Sequence, residues 1–320
     1  MRVGILLPHF GPFTDRSRLF DVGASLAERG FASAWVRDQL GFRGGLPFEP
    51  RSPHFVDPIV TLAALAARSD ITIGTATLVP IRPPVMTAQI VGSLAYLAKG
   101  RFVLGIGLGG VPPAFELAGR QWEDRHDLFR ETVEVVRALA HPGASYEGRF
   151  ARFTNLTVDP APPEDLEIWF SGTSGAAIRL TLEYATGWFP GRIPLRVFDR
   201  LLGRLREGEI ALSRTFRVGI MPIVSLDRDR ATALARVNVG GLLDEAHGKK
   251  AWQADGPFET ADDLRGMLVA GTTDDVVADL RALAARGVDE VVLDLRQRMD
   301  AYEATLDLLA AEVIPALRSG

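Results

Sequence analysis

The chain has 320 residues, 47% hydrophobic and 24% charged, the balance of a folded globular protein. A formal net charge of -4 and a pI of about 5.8 recommend no nucleic-acid partner, and the absence of cysteine excludes disulfides, thiolate catalysis and cysteine metal sites. No apolar run approaches the ~18–20 residues that span a bilayer, and the start MRVGILLPHF carries no basic leader, so no signal peptide, no membrane contact and a cytoplasmic location are expected.

In chain order, 2–7 reads as a strand and 17–29 as an amphipathic helix stopped by Gly30. A second strand is predicted at 32–37, then a long loop at 41–58 rich in Gly, Pro and aromatics. Asp57 is placed to cap a helix at 57–68, with Pro58 at its first position. Residues 71–79 read as strand three, 85–98 as a helix and 101–106 as strand four. A long helix is expected at 120–139, a hairpin around Gly148–Arg149–Phe150, strand five at 167–170 and a helix at 174–184. The remainder alternates likewise: strand six at 186–189, helix 194–207, strand seven at 215–225, helix 228–245 and an irregular stretch at 247–260. Helix 273–286, strand eight at 290–295 and a closing helix at 301–317 complete it.

Eight strands alternating with helices over about 300 residues predict a (β/α)8 TIM barrel, with residues 1–320 as one domain and loop insertions at its carboxyl-terminal face. An open doubly wound sheet competes, but no GxGxxG follows strand one. In a barrel, function sits on the loops after the strands. The most informative of these end the runs ITIGTATLVPIRPP (71–84) and GRFVLGIGLGG (100–110). Both are stripped of bulk, at Gly74, Thr75, Ala76 and Thr77 in one and at Gly105, Gly107, Gly109 and Gly110 in the other. Small residues there let a flat ligand lie against the backbone. Gly172–Thr173–Ser174, opening a helix after strand five, combines hydroxyls with helix-start amides and reads as an anion site, with simple N-capping as the plainer alternative.

These residues carry a resemblance. VGILLPHFG, LAERGFASAWVRDQL, DPIVTLAALAARSDITIGTATLVPIRPP, GRFVLGIGLGG, IWFSGTSGAAIRLTLEYATGW and MLVAGTTDDVVADLRALAARGVDEVVLDL run in the order seen in the bacterial luciferase-like family of flavin-dependent oxidoreductases. Each piece is weakly specific, but together their order and spacing make the resemblance strong. It implies a barrel binding the ring of reduced FMN, or alternatively F420, at its carboxyl-terminal face, and homodimerisation. It implies a non-proline cis peptide at Ala76–Thr77 under the ring and cofactor contacts at Ala76, Thr77, Gly107, Gly109, Gly172, Thr173 and Ser174.

Two positions depart from that pattern. Gln39 stands where the family commonly has a histidine, and Leu108 where luciferases themselves have a phosphate-gripping arginine. A carboxamide hydrogen-bonds but shuttles no proton at neutral pH, so besides Gln39 the catalytic candidates are His9 and His54. Arg37 and Asp38 read as a charged pair at a strand end, and Glu116, Arg125 and His126 as solvated helix charges. Phe10, Trp35, Phe42, Phe48, Phe55, Trp188 and Phe189 are candidates to line an apolar substrate cavity, several of them being plain core. The 41–58 loop reads as a lid. The leading functional reading is a monooxygenase using reduced FMN and O2 on a small organic substrate, with a flavin reductase as possible partner. F420-dependent hydride transfer is the alternative, and a non-catalytic flavin-binding or partner subunit is a third.

Overall fold

The computed structural model describes residues 1–12, 14–41 and 52–318. β1 (Arg2–Leu6), α1 (Arg16–Glu28), β2 (Ser33–Val36), α2 (Pro58–Ala66), β3 (Thr72–Thr75), α3 (Pro84–Leu97) and β4 (Phe102–Gly107) form the first half. α4 (Pro112–Leu117) and α5 (Arg125–Ala138) follow, then a hairpin of β5 (Ala144–Glu147) and β6 (Arg152–Leu156). The chain returns through β7 (Glu167–Ser171), α6 (Gly175–Tyr184), β8 (Gly187–Trp188), α7 (Leu195–Leu212) and β9 (Arg217–Ile220). β10 (Ile223–Leu226), α8 (Arg230–Ala235), α9 (Val239–Gly248) and β11 (Leu268–Gly271) make an excursion. α10 (Thr273–Ala285), β12 (Glu290–Leu293), α11 (Tyr302–Leu308) and, after a π-helical turn, α12 (Ile314–Arg318) close the sequence.

Eight strands form a closed barrel in the order β1-β12-β9-β8-β7-β4-β3-β2, and each neighbouring pair is parallel. Such strands are covered on both sides, which is why they read as continuous apolar runs rather than alternating ones. The outward side chains of β1–β4, such as Ile5, Ala34, Ile73 and Leu104, pack under the helices. The inward ones, Leu6, Trp35, Val103, Trp169, Phe189 and Val292, fill the barrel. Trp35 lies 5.6 Å from Trp169 and 5.1 Å from Phe189, centroid to centroid. A Cβ on Gly74 would come within 2.5 Å of the Trp35 ring. Gly74 therefore makes room for barrel packing and is no part of a ligand floor.

Caps set several helix starts, the one at Asp57 as the sequence predicts. Asp57 accepts from the amides of Ile59 and Val60, and Pro58 opens α2. Thr272 and Asp275 cap α10 reciprocally. Other boundaries differ. The expected strand 215–225 is two strands, because Pro222 has no N–H to donate to the ladder. β9 stays in the barrel while β10 pairs with β11, a strand the sequence reading lacked. The helix expected at 228–245 is broken where Asn238 caps α9 by accepting from Gly241 N–H. The helix expected at 120–139 begins only at Arg125, and the unforeseen α4 ends at Gly119, whose φ of +68° suits glycine. Strand three stops at Thr75, short of Val79.

The β5–β6 hairpin is held to α5 by two of its carboxylates, Glu134 accepting from the Tyr146 hydroxyl at 2.6 Å and Glu131 from the turn between the strands. Glu131, 2% exposed, accepts from the amides of Arg149, Phe150 and Ala151 at 2.8, 2.8 and 3.2 Å. Among the described residues no helix is long and apolar enough to cross a membrane.

Candidate active site

A cavity of about 580 Å3 opens at the carboxyl-terminal end of the barrel, within the ~300–1,000 Å3 usual for cofactor and ligand sites. Its floor comes from the ends of β3 and β4. Ala76 N–H still bonds Val36 O, at 2.6 Å, and the Ala76–Thr77 peptide is cis, as the resemblance implies. Leu78 then rejoins β4, donating to Gly105 O at 2.8 Å and accepting from Gly107 N at 3.1 Å. The chain between bulges, and Thr77 faces the cavity beside Gly107. A Cβ on Gly107 would lie 3.0 Å from Thr77 Oγ1 and 3.4 Å from Ser171 Cβ, so only glycine keeps this floor flat. Gly109, at φ +77°, turns the chain away over Phe115.

The opposite wall is the β7–α6 turn. Gly172, Thr173 and Ser174 all line the cavity. Ser174 is the N-cap of α6, its side chain accepting from Ala177 N–H at 3.2 Å. The capping role and the anion-site role thus fall on the same turn. The cap satisfies one helix-start amide, and the first amides of any helix have no acceptor within it. Trp188 Nε1–H holds Gly172 O at 2.9 Å, fixing the turn from below. Val79, Ile81, Leu108, Phe115, Phe170 and Leu180 make the rest of the walls apolar. Lys249 and His126 also reach the cavity. His126 is thus not merely a solvated helix charge, whereas Arg125 stacks on Trp122 at 3.5 Å.

The three catalytic candidates separate. Gln39 lines the cavity; its Oε1 accepts from Arg37 Nη2 at 2.8 Å and its Nε2 donates to Gly41 O at 3.2 Å. His9 is fully buried and outside the lining. Its Nδ1 lies 2.8 Å from Val56 O, which can only accept, and its Nε2 lies 3.1 Å from Arg37 N–H, which can only donate. The ring is therefore the neutral Nδ1–H tautomer with both nitrogens occupied. Burial is the largest influence pushing its pKa down to about 4, aided by Arg37 and Arg296 and opposed by the bond to Val56. His9 straps β1 to the segment before α2; its geometry does not suit proton transfer. His54 is exposed and also outside the lining. Ala76 is not in the lining either: its side chain packs inward with Phe10 and Trp35.

Arg37 and Asp38 do not pair with each other as expected. Arg37 lies over the Phe10 ring at 4.6 Å. Asp38 takes a bidentate fork from Arg82, at 2.6 and 3.1 Å. Sequence reading missed Arg82, whose only signal was a lone arginine in an otherwise apolar, proline-rich turn. Of the lining aromatics proposed from sequence, Trp35, Trp188 and Phe189 are buried core. Phe42, Phe48 and most of the expected lid lie outside the described residues.

Closed barrel, flat-floored cavity at the carboxyl rim and a hydroxyl-rich helix start define a barrel with room for a flat ligand that carries an anionic group. The model of the luciferase-like monooxygenase family matches residues 1–290, and the chain belongs to that family. It is 30% identical over 237 residues to the F420-dependent glucose-6-phosphate dehydrogenase of Nakamurella multipartita, covering 70% of this chain and 67% of that one. Two solved structures share the fold. One is monooxygenase RslO1 from Streptomyces bottropensis, with TM-score 0.75 and 22% identity over 98% of this chain and 99% of that one. The other is an F420-dependent secondary alcohol dehydrogenase, with TM-score 0.79 and 18% identity over 99% of each.

Proposed function

We propose that the chain is an F420-dependent oxidoreductase acting on a small organic substrate. The observation that carries the cofactor site is the cavity itself, whose floor is bare backbone and whose far wall is the Gly172–Ser174 turn. Thr77, Gly107 and Gly109 support the ring, with Ala76 holding the bulge from behind. Gly172, Thr173 and Ser174 with the α6 amides receive the phosphate. The cofactor, when bound, supplies hydride transfer to or from carbon. The apolar walls exclude water from that transfer.

Gln39 keeps one amide hydrogen beyond its bond to Gly41, enough to orient a substrate oxygen but not to move a proton. Leu108 supports F420 over FMN, because the arginine by which luciferases themselves grip the FMN phosphate is replaced by an apolar side chain. The F420-dependent relatives support it further. A monooxygenase using reduced FMN is the second reading, favoured by the description of the matched family; it alone needs O2 and a flavin reductase.

The test is parallel binding titrations of F420, FMN and reduced FMN, followed by turnover with each bound form. Tight F420 binding with hydride exchange supports the first reading. Binding of reduced FMN with O2-dependent product supports the second. Binding without turnover across a broad panel of substrates favours a non-catalytic subunit.

A further inference from the structure

We propose that Asp38 and Arg82 are a positioning pair that sets where the cavity floor lies under the cofactor ring. The inference rests on the cofactor site proposed above. On the β4 side the floor is held by backbone bonds, Leu78 to Gly105 and Gly107 to Leu78. On the β2 side a side chain takes over. β2 ends at Val36, and two residues later Asp38 Oδ2 accepts from Val79 N–H at 3.0 Å, standing in for the strand that has stopped.

That carboxylate is 1% exposed. A buried carboxylate holds its charge only when paired and hydrogen-bonded. Arg82, three residues beyond Val79, supplies both in a planar fork. The same guanidinium comes within 3.8 Å of Asp57, the N-cap of α2. One arginine therefore ties the end of β2, the bulge bearing Thr77 and the start of α2 into a single unit. Asp38 also sits between Arg37 and Gln39, and all three line the cavity. Shifting Asp38 moves the floor and the Gln39 carboxamide together. Neither Asp38 nor Arg82 has to touch the reacting atoms for this; both act through Val79 N–H and the neighbouring backbone.

The experiment uses Arg82→Gln, Arg82→Lys and Asp38→Asn in the full chain. F420 and FMN binding is followed by cofactor fluorescence, the bound cofactor's absorption spectrum is recorded, and thermal unfolding is measured alongside. Arg82→Gln should weaken binding at least tenfold and shift the bound absorption spectrum at temperatures where the variant is fully folded. Arg82→Lys, which keeps the charge and loses the fork, should recover part of both. Asp38→Asn, nearly isosteric, should resemble Arg82→Gln, and the double variant should be no worse than the worse single variant. If Arg82→Gln does not fold, Arg82→Lys and Asp38→Asn carry the test. Folded variants that bind with wild-type affinity and an unshifted spectrum, whatever their melting temperature, overturn the proposal. Failure of the wild-type chain to bind either cofactor would instead refute the cofactor site, and that is read before any variant.

Discussion

His9 makes the stability of this protein depend on pH in a window well below neutrality. Its imidazole titrates near 4 in the fold against 6.5 for the ordinary side chain. Lowering the pH from 6.5 toward 4 protonates the unfolded chain first, while the folded ring stays neutral between Val56 O and Arg37 N–H. The unfolded state then binds more protons, so stability rises with pH through this window and is lost as pH falls. Neutral His9 therefore contributes fully above pH 6.5. At 1.36 kcal/mol per tenfold, the loss by pH 4 is about 3 kcal/mol. The assay is urea unfolding of wild type and His9→Gln at pH 4, 5, 6 and 7.5. Gln does not titrate, so the difference in stability between the two proteins should narrow by about 3 kcal/mol on acidification, whatever its size at pH 7.5. A difference that stays constant across the series would mean that the folded ring takes up its proton as readily as the unfolded one, which a neutral ring held between Val56 O and Arg37 N–H does not allow.

Further outcomes follow from the cavity and its support. Ser174→Asp places a negative charge at the helix start that should receive the cofactor phosphate. It should weaken binding tenfold or more, since a charge-assisted bond is worth roughly 1.5–3 kcal/mol. Affinity for riboflavin, which lacks the phosphate, should change much less, and equal losses for FMN and riboflavin would remove the anion site. Gly107→Leu should fill the floor between Thr77 and Ser171 and abolish cofactor binding while circular dichroism stays native; retained binding would place the ring elsewhere. Glu131→Gln leaves one acceptor oxygen for three amides and should cost on the order of 2 kcal/mol in denaturant unfolding without altering cofactor affinity.

Much of the barrel was legible because its strands are buried on both faces and its helix starts carry Asp57 and Ser174, signals that are local in sequence. What was not legible depends on contacts far along the chain. Nothing local says that Pro222 hands the chain from the barrel to a two-stranded sheet with residues 268–271, a partner about 45 positions away. Gly74 and Gly107 look alike in sequence and both face the barrel interior, yet one lies at the level of the Trp35 ring and clears space for it, while the other lies at the carboxyl-terminal end and floors the cavity. His9 is a catalytic candidate in the sequence, and what occupies it is two backbone partners, one of them Val56, 47 residues on. Arg37 and Asp38 are adjacent in sequence, but the one lies over Phe10 and the other pairs with Arg82, 44 residues on.

In the proposed site the ring lies over Thr77 and Gly107, with the phosphate at Gly172–Ser174. A crystal structure of the chain soaked with F420 or FMN tests it most directly. Phosphate oxygens are expected within hydrogen-bonding distance of the Thr173 and Ser174 hydroxyls or the α6 amides, and the ring against the Ala76–Thr77 bulge. A phosphate held at any other rim loop, or a ring that leaves Gly107 uncovered, would contradict it.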